Sequence, residues 1–162
     1  MIVVADTSPI LNLARIGRLH LLPSLYQQVL IPTAVSAELA GFQNSMSAAL
    51  GPAYNSWLLV AEAEDQKLVR RLRDRLDVGE AEAIVLAVER YATLLLIDEK
   101  LGRQVAETLG VSVTGLIGLL AEAKQAGLIE QVGPVLDELI AKARFWIAPS
   151  LYRQVLVELG EL

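Results

Sequence analysis

Short apolar runs, each cut off by a polar residue or a proline, recur along this chain. Ile2 to Ala5 stops at Asp6, Val29 to Ile31 stops at Pro32, and Leu94 to Ile97 stops at Asp98. Trp57 to Ala61 is a further run of the same kind, and Val111 to Val113 is a further strand candidate. Runs this short that do not alternate with polar residues predict strands buried on both faces. Between them the apolar positions fall at helical spacing, predicting helices over Ser8 to Ile16, Pro32 to Ala40, Gln66 to Leu76, Asp77 to Tyr91, Glu99 to Leu109 and Gly115 to Ala126. Leu19, Leu22 and Leu25 give a shorter helical pattern within residues 17 to 28, and Pro134 to Lys142 and Pro149 to Leu159 form a helical tail. Residues 41 to 54 read as a loop with one helical turn at 46 to 50. Strands alternating with helices are the signature of an α/β domain.

Two of the strands end in a carboxylate. Ser8 can cap the first helix and Pro9 suits its first turn, so Asp6 is left free at the strand tip. Asp98 repeats that pattern. If the strands are parallel, both tips lie on one edge of the sheet, where α/β folds bind their ligands. Two helices bring further acids. Glu38 shares the face of Ala34 and Val35, and Glu80 lines up with Ala83, Ile84, Ala87 and Val88, whereas Glu82 aligns with Glu89 on the polar side. Asp6, Glu38, Glu80 and Asp98 are therefore the candidate set. Carboxylates gathered without matching cations repel, and a divalent ion removes that cost. Oxygen donors alone favour Mg²⁺ or Mn²⁺. Each acid also has a plainer reading: Glu80 in a capping box with Asp77, Asp98 as a helix cap, Glu99 against a helix dipole, and Glu38 half exposed on a helix edge.

Composition narrows the rest. With 162 residues, one domain with a real core is expected, of which residues from about 116 to 162 form a C-terminal helical part. There is no cysteine, which excludes thiolate catalysis and cysteine-based metal sites. The net charge of −5 argues against a protein that coats nucleic acid, yet leaves room for a local basic rim. Arg15, Arg18, Lys100, Arg103 and the cluster from Arg70 to Arg75 are the cations available for one. No run is long enough to cross a membrane, so no membrane partner is expected and a cytoplasmic protein is the default. Phe145, Trp146, Leu151, Tyr152, Val155, Leu156 and Leu159 in the tail belong either to the chain's own core or to a partner-binding groove.

Ala5-Asp6-Thr7-Ser8-Pro9-Ile10, Ile31-Pro32 through Glu38, Asp77-Val78-Gly79-Glu80 through Ala87, and Ile97-Asp98-Glu99 with Arg103 follow one another as do the motifs of PIN-domain proteins, which the chain resembles over nearly its whole length. The likeness extends to VapC-type toxin ribonucleases and a related prokaryotic branch predicted to bind nucleic acid. It implies a three-layer α/β/α sandwich with a central parallel sheet and a C-terminal helical extension. It implies a Mg²⁺- or Mn²⁺-dependent endoribonuclease, with Asp6, Glu38, Glu80 and Asp98 as catalytic and metal-binding acids and Ser8, Glu82 and Glu99 as secondary candidates. Glu82-Ala83 can stand where PIN toxins carry an acid before alanine, and Glu99 stands where an aspartate is common. Arg103, Lys100 and Arg15 would hold RNA. A homodimer and, for a toxin, an antitoxin protein are the implied partners. The rival expectation is a non-catalytic PIN-like module that binds RNA or protein through a vestigial site.

Overall fold

The computed structural model describes residues 1–42 and 56–162. Five strands form one sheet: β1 (Val3–Ala5), β2 (Val29–Pro32), β3 (Leu58–Ala61), β4 (Leu94–Leu96) and β5 (Val113–Thr114). Their order across the sheet is β3-β2-β1-β4-β5, and every pairing is parallel. The chain thus builds outward from β1 in one direction, then returns to build from β4 in the other. The gap between the carboxyl ends of β1 and β4 is the topological switch point, the place where such sheets open a crevice.

The helices are α1 (Thr7–Arg15), α2 (Leu21–Tyr26), α3 (Thr33–Ala40), α4 (Gln66–Leu72), α5 (Val78–Glu89), α6 (Lys100–Thr108), α7 (Leu116–Gln125), α8 (Gly133–Lys142) and α9 (Pro149–Glu158). Strand parity sorts them into two layers. Val3, Ala5 and Leu96 face a core that includes Ile10, Leu13, Leu22, Leu116, Leu120 and Leu136 from α1, α2, α7 and α8. Val4, Leu95 and Ile97 face the opposite way, onto Ala83, Ile84, Ala87, Val105 and Ala106 of α5 and α6. Residues two apart share a face in a strand, which is why these runs are apolar at every position. The result is an α/β/α sandwich. Val155 of α9 joins the first core, with Phe145, Tyr152 and Leu159 packed against it, whereas Trp146 stands in solvent.

Several boundaries differ from the sequence reading. Asp6, not Ser8, occupies the N-cap position of α1, and its side chain makes no capping bond. The basic helix ends at Leu72 instead of Leu76, and the last strand is Val113–Thr114 because Val111 packs from a loop. The helical turn expected at 46 to 50 lies outside the described residues. Among the described residues, no helix is long and apolar enough to cross a membrane.

Candidate functional site

Asp6 follows β1 directly and is only 6% exposed, although its carboxylate has no cationic partner among the described residues. Its amide donates to the Leu96 carbonyl at 2.9 Å, which ties the two strand ends together at the switch point. Burial pushes the Asp6 carboxyl up to about 7; the Thr7 amide works against that rise, and the negative charges of Asp77, Glu80 and Glu38 add to it. Those three neighbours come from α3 and from the start of α5. Three acids and one cap residue therefore share one field.

Each acid is aimed by a specific contact. Thr7, buried at the head of α1, donates its hydroxyl to Oε2 of Glu38 at 2.8 Å and so turns that carboxylate toward β1. Glu80 is 8% exposed; Oε2 accepts from the Asp77 amide at 3.1 Å while the Glu80 amide donates to Asp77 at 2.8 Å. The capping box is therefore present, and it holds Glu80 in the crevice instead of competing with that role. Burial, then the charges of Asp77, Glu99 and Glu38, raise the Glu80 carboxyl above its ordinary value, the Asp77 amide opposing.

Gly79 makes room for this convergence. A Cβ there would stand 2.5 Å from Oε1 of Glu38 and 3.5 Å from Oδ1 of Asp6, so the two oxygens are no further apart than those distances added together. What matters here is the missing side chain and not the backbone, since the φ of Gly79 is not in the left-handed region.

Asp98 does not join them. Register pairs Ala5 with Leu96, so Asp6 stands level with Ile97, and Asp98 falls one residue beyond on the other side of the strand. There its Oδ1 accepts from the Leu116 amide at 2.7 Å, at the start of α7, and Oδ2 is buried with no partner among the described residues. Burial raises its carboxyl above the ordinary value; the Leu116 amide and Arg103 pull it down, and Glu99 pushes it up. Parallel pairing thus sets both aspartates on one edge of the sheet, but they leave it from opposite faces of their strands. Glu99, the next residue, swings back toward Glu80 and is the charge that both Glu80 and Asp98 feel.

The other sequence candidates divide. Ser8, Lys100 and Arg103 line a groove of about 710 Å³ together with Asp98 and Glu99. Arg15 sits at the far end of α1, roughly 13 Å of helix from Asp6, with its guanidinium 5.7 Å from the centroid of the Phe42 ring. Arg18 pairs with Glu138 at 3.1 Å. Glu82 accepts from the Thr33 hydroxyl at 2.9 Å and the Ala34 amide at 3.3 Å, so it caps α3. Thr7, Asp77 and Gly79 were not among the sequence candidates. A capping-box signal marked Asp77, but nothing local marked Thr7 or Gly79, whose roles rest on contacts to Glu38 some 30 to 40 residues away.

The residues present suit a hard divalent cation. All donors are carboxylate or hydroxyl oxygens, buried acids face one another without a counter-charge among the described residues, and a glycine leaves open the space where they meet. Among the described residues, no three carboxylates already stand in a ready-made ligand arrangement.

A family model described as PIN domain matches residues 2–161. A solved structure of a PilT N-terminus domain protein from the hyperthermophilic archaeon Sulfolobus solfataricus P2 is similar at a TM-score of 0.55 and 22% identity, covering 76% of this chain and 93% of that one. At that identity the likeness concerns the fold alone. No curated protein matches the sequence.

Proposed function

Because the chain belongs to the PIN-domain family, we propose that it is a Mg²⁺- or Mn²⁺-dependent endoribonuclease whose acidic site is formed by Asp6, Glu38, Glu80 and Glu99. PIN domains have a nuclease-type fold. The observation that carries the reading is Asp6: a buried carboxylate at the switch point, surrounded by other acids and without a cation among the described residues, costs the fold stability unless something positive binds there. In this proposal Glu99 takes the place of the fourth acid because its charge acts on Glu80, whereas Asp98 leaves the opposite face of its strand. Asp98 then positions: it fixes the start of α7 against the end of β4 and holds Arg103 nearby.

When bound, the ion would supply Lewis-acid activation of water and of the scissile phosphate. The chain's own part is to hold and orient. Thr7 fixes one oxygen of Glu38, leaving the other free, and Asp77 fixes one oxygen of Glu80. Lys100 and Arg103 at the rim supply positive charge for phosphates that the acids alone would repel. The toxin role, the antitoxin partner and the homodimer implied by the family resemblance belong to the same proposal, and growth arrest on expression would read the first of them.

The test is incubation of single-stranded RNA with the full chain in Mn²⁺ or Mg²⁺, alongside Asp6→Asn and Glu99→Gln. Cleavage should depend on the metal, and Asp6→Asn should lower it by roughly a thousandfold, the scale expected on losing a metal ligand worth several kcal/mol. Unchanged RNA with the parent chain in both metals would leave the non-catalytic binding module as the function. Equal cleavage by parent and Glu99→Gln would return the fourth place to Asp98.

A further inference from the structure

The groove beside the acids continues past Lys100 and Arg103 to the link between α8 and α9, residues 143 to 148. This link has three unusual features. Trp146 is 79% exposed, although it lies between buried Ile147 and half-buried Phe145. Arg144 is exposed and makes no ion pair with any described residue, in a protein that carries a net charge of −5. Arg144 also has φ 54, a left-handed conformation that normally calls for glycine after a helix. The turn is fixed, since the Phe145 amide donates to the Leu139 carbonyl at 3.1 Å. Backbone strain retained at an arginine, with an exposed indole two residues on, marks a place where side chains are kept for contact.

We propose that this link is a nucleotide-binding arm for single-stranded RNA: Trp146 stacks on a base, and Arg144 with Lys100 and Arg103 holds the phosphates that lead to the acidic site. The inference rests on the nuclease reading for what lies at the groove's other end, not for binding itself. Three cations lining the same groove as one exposed aromatic match a strand that alternates phosphates and ring faces. The volume is that of pockets holding a ligand of nucleotide size, roughly 300–1,000 Å³. Continuity supplies the direction, because Glu99, one of the proposed acids, lines the same groove. An unpaired strand is favoured over a duplex because only its bases are free to stack.

The experiment measures fluorescence anisotropy of a labelled single-stranded RNA of about eight nucleotides, a length within the usual site size. It uses the full chain with Asp6→Asn and a chelator, so that cleavage does not enter. Trp146→Ala should weaken binding by roughly ten- to a hundredfold, the value of one stacked base. Arg144→Gly should weaken it several-fold and lower the salt dependence by about one phosphate contact, while melting at the same or a higher temperature because the strained turn is relieved. That opposition separates a binding role from a structural one. RNA that binds but is not cut by the parent chain would remove the nuclease reading and keep this one. Unchanged affinity in both variants, or equal binding of duplex, would overturn it. So would a dimer or protein complex that Trp146→Ala dissolves without changing RNA affinity, which would make this face a protein interface.

Discussion

Two of the carboxylates tucked away from water, Glu161 and Asp6, are treated in opposite ways. Glu161, near the C-terminus, accepts from the Lys124 ammonium at 2.9 Å and from the amides of Val132 and Gly133, each at 2.8 Å, at the head of α8. Against the burial that would raise it, the Gly133 amide, Lys124 and the Val132 amide hold the Glu161 carboxyl below its usual range. Asp6 has the reverse surroundings, burial and three negative neighbours, and is pushed up to about 7. One site is closed by its own cation and donors, which is what a structural carboxylate needs. The other is left unbalanced, which the proposed cation would offset.

The largest consequence concerns stability without metal. The folded state holds the Asp6 proton more tightly than the unfolded chain, whose ordinary value is 3.8. Between about pH 4 and 7 the unfolded chain therefore loses a proton that the folded one keeps, and stability falls as pH rises through that window. A shift of this size has a ceiling of about 4 kcal/mol. Denaturant melts in chelator should show the parent losing stability from pH 5 to pH 8, Asp6→Asn losing much less, and Mn²⁺ restoring the parent at pH 8 but not the variant. A parent curve that is flat with pH would remove the asymmetry between the two carboxylates.

Glu161→Gln probes the other side and should behave in the opposite sense. It removes the ion pair of Lys124, which keeps only its bond to the Leu159 carbonyl, and weakens both amide bonds, at a cost of about 2 kcal/mol given that Lys124 is a quarter exposed. In the parent, the contribution of Glu161 is present above its ordinary value of 4.5 and disappears as pH falls through its lowered folded value. The variant should therefore melt well below the parent at pH 7 and converge with it in strong acid. RNA cleavage should stay at the parental level under conditions where both are folded.

How much of this difference could be read beforehand depended on whether the cause was local. Asp6 after a buried run, and Glu80 on the apolar face of α5, were legible because strand ends and helical angles are properties of a few adjacent residues. The turning aside of Asp98 was not, although its cause is small: β1 and β4 pair Ala5 with Leu96, and one residue of offset puts Asp6 and Asp98 on opposite sides. Register is set by pairing between segments about 90 residues apart. The parallel α/β class followed from the apolar runs, but the order β3-β2-β1-β4-β5 did not. The Glu161 clamp was invisible for the same reason, since its three partners lie 28 to 37 residues earlier.

Gly79 offers the finest way to separate the two sites. Substituting Gly79→Ala puts a methyl group where Oε1 of Glu38 now stands, and that oxygen is the end of a flexible side chain, so it can move aside. The backbone there is helical and alanine favours helix over glycine by up to about 1 kcal/mol, so the apo protein should melt at the same temperature or slightly higher. Displacing one ligand oxygen by an ångström or so should instead weaken Mn²⁺ binding, by roughly tenfold on the scale seen when a ligand's support is altered. Calorimetric titration of Mn²⁺ reads the affinity and a thermal melt reads the fold. Lower affinity with an unchanged melt identifies the space beside Gly79 as the place where the acids share an ion. Unchanged affinity would mean that Asp6 and Glu38 do not act on a common ligand, and the imbalance at Asp6 would then need another explanation than a cation.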